Sequence, residues 1–290
     1  MREYRAVLER LPDHQDALLE LAALYSEEKQ YDRALEIYRT VIEFYPESAL
    51  VRFLQGSAYV ESQRYEDAIS VYEEIASSGP QWAALWGRLG YAYFMDGQFE
   101  QAARAYRQTL KINPDSSLVR YQLACLYQDQ ENVEAAIKEF GILLEGAPDN
   151  HDFHTRLADL LIKQEEAGRD TFGLEPTPVT RTAEKHLQQA IQLSPDYVYS
   201  RWSMGFLLAR QRRYTEAIGH FEKILELTPL DYRVYGCLGN LYKRTGNEEK
   251  SRQHFTAYAR AERGQRFQSR AKAEFEKHVQ RTLERLGASL

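Results

Sequence analysis

Residues 31–46 read YDRALEIYRTVIEFYP. The same pattern returns as YEDAISVYEEIASSGP at 65–80, FEQAARAYRQTLKINP at 99–114, VEAAIKEFGILLEGAP at 133–148 and YTEAIGHFEKILELTP at 214–229. Each copy opens with an aromatic residue or Val (Tyr31, Tyr65, Phe99, Val133, Tyr214) and carries Ala three positions on (Ala34, Ala68, Ala102, Ala136, Ala217). A ring follows four later (Tyr38, Tyr72, Tyr106, Phe140, Phe221), and Pro closes the copy. Offsets of three and four residues place these side chains on one face of an α-helix. Proline ends the helix because it has no N–H to donate and forces the residue before it out of helical geometry. A single amphipathic helix cannot bury such a stripe alone, so the sequence between the copies must supply its partner.

It does so with a fixed period. Pro12, Pro46, Pro80, Pro114 and Pro148 fall 34 residues apart, as do Pro195 and Pro229, while the step from Pro148 to Pro195 is 47. Ahead of each quoted stretch lies a second helical pattern, such as Leu18, Leu21, Ala22 and Tyr25, with a small residue followed three later by a bulky one: Ala22/Tyr25, Gly56/Tyr59, Gly90/Tyr93, Ala124/Tyr127, Ala158/Leu161, Gly205/Leu208 and Gly239/Tyr242. A short polar break joins the two patterns, so each period is a helical hairpin. The small residues allow close helix approach, and the rings fill the space beside them. Twenty Tyr against three Met and three Trp is the compositional trace of one residue type recurring at fixed positions.

The 34-residue period and these columns resemble the tetratricopeptide repeat family, whose pattern is a standard example of a helical repeat. The resemblance spans about residues 1–263. It implies an all-α fold: a right-handed superhelical solenoid of stacked antiparallel helix hairpins, with a capping helix at the C-terminal end. The register gives a half repeat at 1–14, matching a second helix only, then seven units at 15–48, 49–82, 83–116, 117–150, 151–197, 198–231 and 232–263, and an amphipathic capping helix at 264–290.

Three departures stand out. The isolated half repeat exposes the face that a missing first helix would cover, which favours a fragment of a longer protein over a natural N-terminal cap. The fifth unit carries 13 extra residues between helices expected at 152–164 and 182–193, in a segment containing Phe172 and Leu174. Insertions in repeat arrays map to loops on one face, often the binding face, although a tolerated surface excursion is the plainer reading. Beyond residue 263, the apolar stripe of Phe267, Ala271, Phe275, Val279, Leu283 and Leu286 is narrow and set among mixed charge. That favours a cap over a membrane-surface helix.

In arrays of this family, first helices line the concave surface. Carrying those columns over gives partner-facing candidates Leu19, Phe53, Tyr91, Phe94, Tyr121, Gln128, Asp159, Trp202, Phe206, Asn240 and Lys243, an aromatic groove suited to a protein or peptide ligand with apolar anchors. The alternative is that some of these rings pack against the next unit. Family members that clamp a C-terminal carboxylate use Lys, Asn and Arg on successive first helices. Here those places hold Ala23, Ser57, Tyr91 and Phe53, and only Asn240 and Lys243 resemble that chemistry. Arg52, Arg120 and Arg201 recur before the aromatic residue, to meet acids of a ligand or of neighbouring helices.

Charge and motifs exclude other classes. Of the net −6, residues 260–290 contribute eight Lys/Arg against four acids, leaving −10 on the rest. Such a body repels phosphate backbones, so no nucleic-acid partner is expected. No apolar run approaches a membrane span, and the charged N-terminus lacks the apolar core of a signal peptide. As it stands the chain reads as soluble and cytoplasmic; a longer parent with a leader or anchor would place it in a periplasm or at a membrane. Cys125 and Cys237 belong to no CxxC motif, and no phosphate-loop, dinucleotide, zinc-protease or nucleophile-elbow motif occurs. His151 and His154 flank Asp152, but no third ligand is evident, so no metal, cofactor or catalytic residue is expected. The reading is a non-catalytic interaction scaffold. Its alternatives are a structural spacer in a larger envelope or secretion assembly, or the recognition region of an enzyme whose catalytic domain lies outside this chain.

Overall fold

The computed structural model describes residues 1–79, 82–167 and 176–263. Phe172, Leu174 and the expected capping helix lie outside them. Among the described residues every regular element is a helix, in two compact units divided inside α9 (Val133–Gly146), between Glu139 and Phe140. The first unit contains α1 (Arg2–Leu8), then the hairpins α2–α3 (Gln15–Glu27, Tyr31–Phe44), α4–α5 (Ala49–Glu61, Tyr65–Ser77) and α6–α7 (Ala83–Met95, Phe99–Ile112), then α8 (Ser117–Asp129). The second contains α10–α11 (His151–Ala167, Pro178–Leu193), α12–α13 (Val198–Arg210, Tyr214–Leu227), α14 (Tyr232–Arg244) and a last helical stretch, α15, over 248–263. Within each unit the second helix of a hairpin packs against the first helix of the next.

Helix ends follow local chemistry. The residues before Pro46, Pro114, Pro195 and Pro229 terminate their helices with φ between −131° and −139° and ψ of 68° to 87°, the extended geometry that a following proline imposes. At the other turn, a left-handed residue closes six of the first helices: Lys29, Gln63, Gly97, Glu131, Arg212 and Gly246. The next N–H then donates back across the turn, as in Gln30 to Tyr25 O and Gln98 to Tyr93 O, both at 2.8 Å. This is the Schellman closure of a helix. It repeats at the sequence period. In the fifth hairpin both helices run further than the sequence suggests: α10 continues to Ala167, and α11 begins at Pro178 with the Thr177 hydroxyl capping Thr180 N at 3.1 Å. Proline at the first helical position needs no N–H partner, so helix extends into what reads as inserted loop.

Two side-chain ties recur between helices. Arg52, Arg120 and Arg201 donate to the carbonyls of Pro46 (3.0 Å), Pro114 (2.7 Å) and Pro195 (3.0 Å), six residues back. Arg52 also bonds Glu74, and Arg120 bonds Glu139. Twenty residues separate the partners of the second tie, which links a second helix to the following first helix: Arg5 with Tyr25, Tyr93 with Glu73, and Tyr242 donating to Glu222 at 2.5 Å. The arginine column therefore closes the turn between repeats.

The core is built from the small and large columns in contact. A β-carbon on Gly56 would lie 2.5 Å from Tyr72 Cε1, one on Gly90 2.6 Å from Tyr106 Cδ1, and one on Gly205 2.7 Å from Phe221 Cε2. Tyr72, Tyr106 and Phe221 are at most 1% exposed. By contrast, a β-carbon on Gly87, three residues before Gly90 on α6, would meet Val119 at an ordinary 3.7 Å. Gly90→Ala is therefore expected to destabilise the chain by about 1–3 kcal/mol through overpacking. Gly87→Ala should stabilise it by about 0.5–1 kcal/mol through helix propensity alone. Denaturant midpoints of the two variants, followed by circular dichroism, check the opposite signs.

Candidate functional site

On α12, with sequence VYSRWSMGFLLAR, one face buries Ser200, Met204, Gly205, Leu207 and Leu208. The helical repeat then carries Tyr199, Trp202, Ser203, Phe206 and Arg210 to the opposite side. Asp159, Ile162 and Glu166 join them from α10, and Arg233 and Cys237 from α14, around a cleft of about 690 Å³. Trp202 and Phe206 stack, with centroids 5.4 Å apart and planes at 23°. Both rings rest edge-on against the buried Phe221 at 5.2 and 5.5 Å. This geometry holds the rings rigid while leaving area outward. Phe206 is 48% exposed and Tyr199 51%.

Charge is arranged around that aromatic floor. Arg233 lies over the Trp202 ring at 5.5 Å and is held by Asp231 through two bonds of 2.9 and 2.8 Å, which keep the Asp231 carboxyl below its usual range. Arg210 pairs with Glu166. Asp159 accepts hydrogen bonds from the Ser203 and Tyr199 hydroxyls, yet burial outweighs them and pushes its carboxyl up to about 6. Burial also pushes the Cys237 thiol up to about 11, which leaves it protonated and a poor nucleophile at neutral pH.

The sequence candidates distribute unevenly over the two units. Asp159, Trp202 and Phe206 come together in this cleft. Asn240 and Lys243 do not: Asn240 is exposed and donates to Gly236 O at 3.0 Å, and Lys243 borders a separate recess with Glu248, Arg252 and Phe255. In the first unit Leu19, Phe53, Tyr91 and Phe94 are half-buried against the core. Phe53 lies 5.7 Å from Tyr72 and edge-on to Trp82 at 6.4 Å, and Phe94 lies 5.8 Å from Phe99. Tyr121 and Gln128 are also half-buried. Phe53 and Tyr91 border a recess of about 780 Å³ whose floor includes Gly87, and the Arg88–Glu61 pair at 3.3 Å lies on its rim. Among the cleft residues missed from sequence were Ile162, Glu166, Tyr199, Ser203, Arg210, Arg233 and Cys237. The signal was present: Tyr199 and Arg233 are one period apart, as are Ser203 and Cys237, in columns adjoining the aromatic ones.

His154 and His186 bond through their Nδ1 atoms at 2.9 Å, and the other ring nitrogen of His154 reaches Pro148 O at 2.8 Å. His154 thus takes in its hairpin the turn-closing place that arginine holds elsewhere. Among the described residues no group of three or more His, Cys, Asp or Glu is placed to hold a metal, and no helix is long and apolar enough to cross a membrane.

Stacked helical hairpins with an exposed aromatic cleft on their first helices define a helical repeat protein. Sequence models described as tetratricopeptide repeat match residues 53–117, 121–169 and 180–232, with further matches at 1–58 and 220–253. The chain belongs to the tetratricopeptide repeat family. Its repeat is a protein-interaction module, and the chain is a repeat scaffold of that kind. A search of the curated proteins found no match. Among solved structures, the C-terminal part of a repeat-containing protein from Cytophaga hutchinsonii is similar at 14% identity, with TM-score 0.68, covering 83% of this chain and 93% of the other. YrrB, described as having an unusual peptide-binding site, is similar at 19% identity and TM-score 0.54, covering 68% of this chain and 95% of its own. MamA is similar at 21% and 0.54, covering 61% and 96%. At these identities the likeness is one of fold.

Asp159 supplies a measurable consequence. Its folded pKa of about 6 lies above the ordinary aspartate value of 3.8, so the ionised form disfavours the fold. The stability associated with this group is fully present below about pH 4 and is lost as pH rises through about 6. Asp159→Asn should therefore stabilise the chain by on the order of 1–2 kcal/mol at pH 8, with no gain at pH 4. Urea unfolding at the two pH values checks both sign and window.

Proposed function

We propose that this chain is a non-catalytic interaction scaffold that holds an extended or helical segment of a partner protein on its first-helix faces. The cleft between α10, α12 and α14 is the principal seat. The observation that carries this reading is the stacked Trp202–Phe206 pair, fixed from behind by Phe221 and nearly half exposed at Phe206. Rigid aromatic rings offer large contact area at little entropic cost, the usual character of an interaction hot spot. Tyr199 widens the same surface. The shared fold with YrrB, whose own description names a peptide-binding site, is in keeping with a peptide ligand. In the first unit, the recess beside Phe53, Gly87 and Tyr91 gives a second seat, and Leu19, Phe94, Tyr121 and Gln128 flank the same first-helix columns. Asn240 and Lys243 extend the second-unit surface beyond α14's contribution to the cleft. The seven-unit division at 15–263 belongs to this proposal as the framework that sets the column spacing.

Peptide selection tests the reading. The full chain is immobilised and presented with a displayed library of random peptides, and the selection is repeated with Phe206→Ala and Trp202→Ala. Wild type is expected to enrich a family of sequences with an apolar anchor, and each variant should lose it by tenfold or more, about 1.4 kcal/mol. Equal enrichment by wild type and both variants would place binding elsewhere.

A further inference from the structure

We propose that the α10–α12–α14 cleft recognises a peptide segment bearing a Lys or Arg side chain next to an apolar residue: Asp159 takes the cation, and the Trp202–Phe206 stack takes the apolar neighbour. The inference rests on the cleft being the peptide seat and adds the chemistry it selects.

Three cations lie around Asp159, and each already has its own acid. Arg156, one turn earlier on α10, bonds Asp152 at 2.7 Å; Arg210 of α12 pairs with Glu166; Arg233 of α14 is gripped at both ends by Asp231. Asp159 receives hydroxyl donors, from Ser203 and Tyr199, and feels the charge of Arg156, which is itself bonded to Asp152; among the described residues no salt bridge to Asp159 is found. Two hydroxyls orient a carboxylate without neutralising it. The group therefore lines an aromatic-walled cleft with its charge only partly compensated among the described residues, a cost that burial adds to by driving its pKa upward. In a cleft, an arriving ammonium or guanidinium group removes it by supplying the missing counter-charge in a low-dielectric setting.

Geometry supports the pairing with an apolar residue. Asp159 and Phe206 occupy the same column of successive repeats, 47 residues apart across the long fifth unit. The acid and the exposed ring thus stand on adjacent first helices lining one cleft, a spacing that neighbouring side chains of an extended peptide can bridge. Arg233 and Asp231 border the Trp202 face from α14. A peptide acid would meet Asp159 unfavourably, and a purely apolar peptide would further desolvate its charge without pairing it.

Titration gives a second readout. The charged and titratable groups around Asp159 are Asp152, Arg156 and Glu166 on α10, Tyr199 and Arg210 on α12, and Arg233 and Cys237 on α14. The two phenol and thiol groups titrate far above neutrality, so acidification between pH 7 and 5 acts here through Asp159.

The test presents the full chain with a positional-scanning library of decapeptides, acetylated at the N-terminus and amidated at the C-terminus so that chain-end charges play no part. Wild type should select Lys or Arg beside an apolar residue. Asp159→Asn, which keeps the fold, should lose the basic preference by about tenfold while retaining the apolar one. For wild type, binding of a selected basic peptide should weaken from pH 7 to pH 5, and for Asp159→Asn it should not change. If wild type and Asp159→Asn select the same apolar peptides with no basic preference, the cation proposal is overturned while the peptide seat stands. If Phe206→Ala leaves every selection unchanged, or wild type selects nothing, the seat itself is overturned and this proposal with it.

Discussion

Four hairpins of this structure turn on one contact: a ring from the second helix lying where the first helix has no β-carbon. Tyr72 against Gly56, Tyr106 against Gly90 and Phe221 against Gly205 bring the helix axes closer than any larger residue at the glycine would allow. Because the ring fills the gap it creates, the hairpin packs without a void. Phe221 shows how the same contact reaches the surface. Its buried face locks the hairpin, and the rest of the ring supports Trp202 and Phe206 from behind. The cleft is rigid because its floor is the core.

The architecture was legible because its causes are local and periodic. Pre-proline residues, left-handed closures at the first-helix ends and the small–large columns each depend on neighbours within one hairpin, so they repeat with the sequence period. The left-handed turn was hidden by its occupants. Only Gly97 and Gly246 advertise positive φ, while Lys29, Gln63, Glu131 and Arg212 adopt it without a glycine. The fifth hairpin was harder to delimit, because a proline at a helix start reads much like a proline in a loop until its Thr177 cap is seen.

The site was less legible. Column arithmetic brought Asp159, Trp202 and Phe206 forward, and these share one cleft. The same arithmetic could not tell an exposed ring from one turned into the next hairpin, and Leu19, Phe53, Tyr91 and Phe94 are half-buried against the core. Nor did it reach Tyr199 or Arg233, which lie in an adjoining column whose members vary in chemistry from Leu50 to Asp152. Side-chain direction and the pairing of charges are tertiary facts. That Arg156, Arg210 and Arg233 each pair with another acid while Asp159 meets hydroxyls cannot be read from spacing.

The cleft is where the sequence stops serving stability. There a stacked aromatic pair is left open to solvent beside a carboxylate that burial holds toward its neutral form. Local departures of this kind mark functional surfaces when the surrounding structure is otherwise consistent. The most direct measurement is a crystal structure of the chain with a peptide selected from the end-blocked library. This account predicts an apolar side chain on the Trp202–Phe206 stack and a Lys or Arg group within hydrogen-bonding distance of the Asp159 carboxylate. A peptide seated on the second-helix surfaces, with the cleft empty, would contradict it.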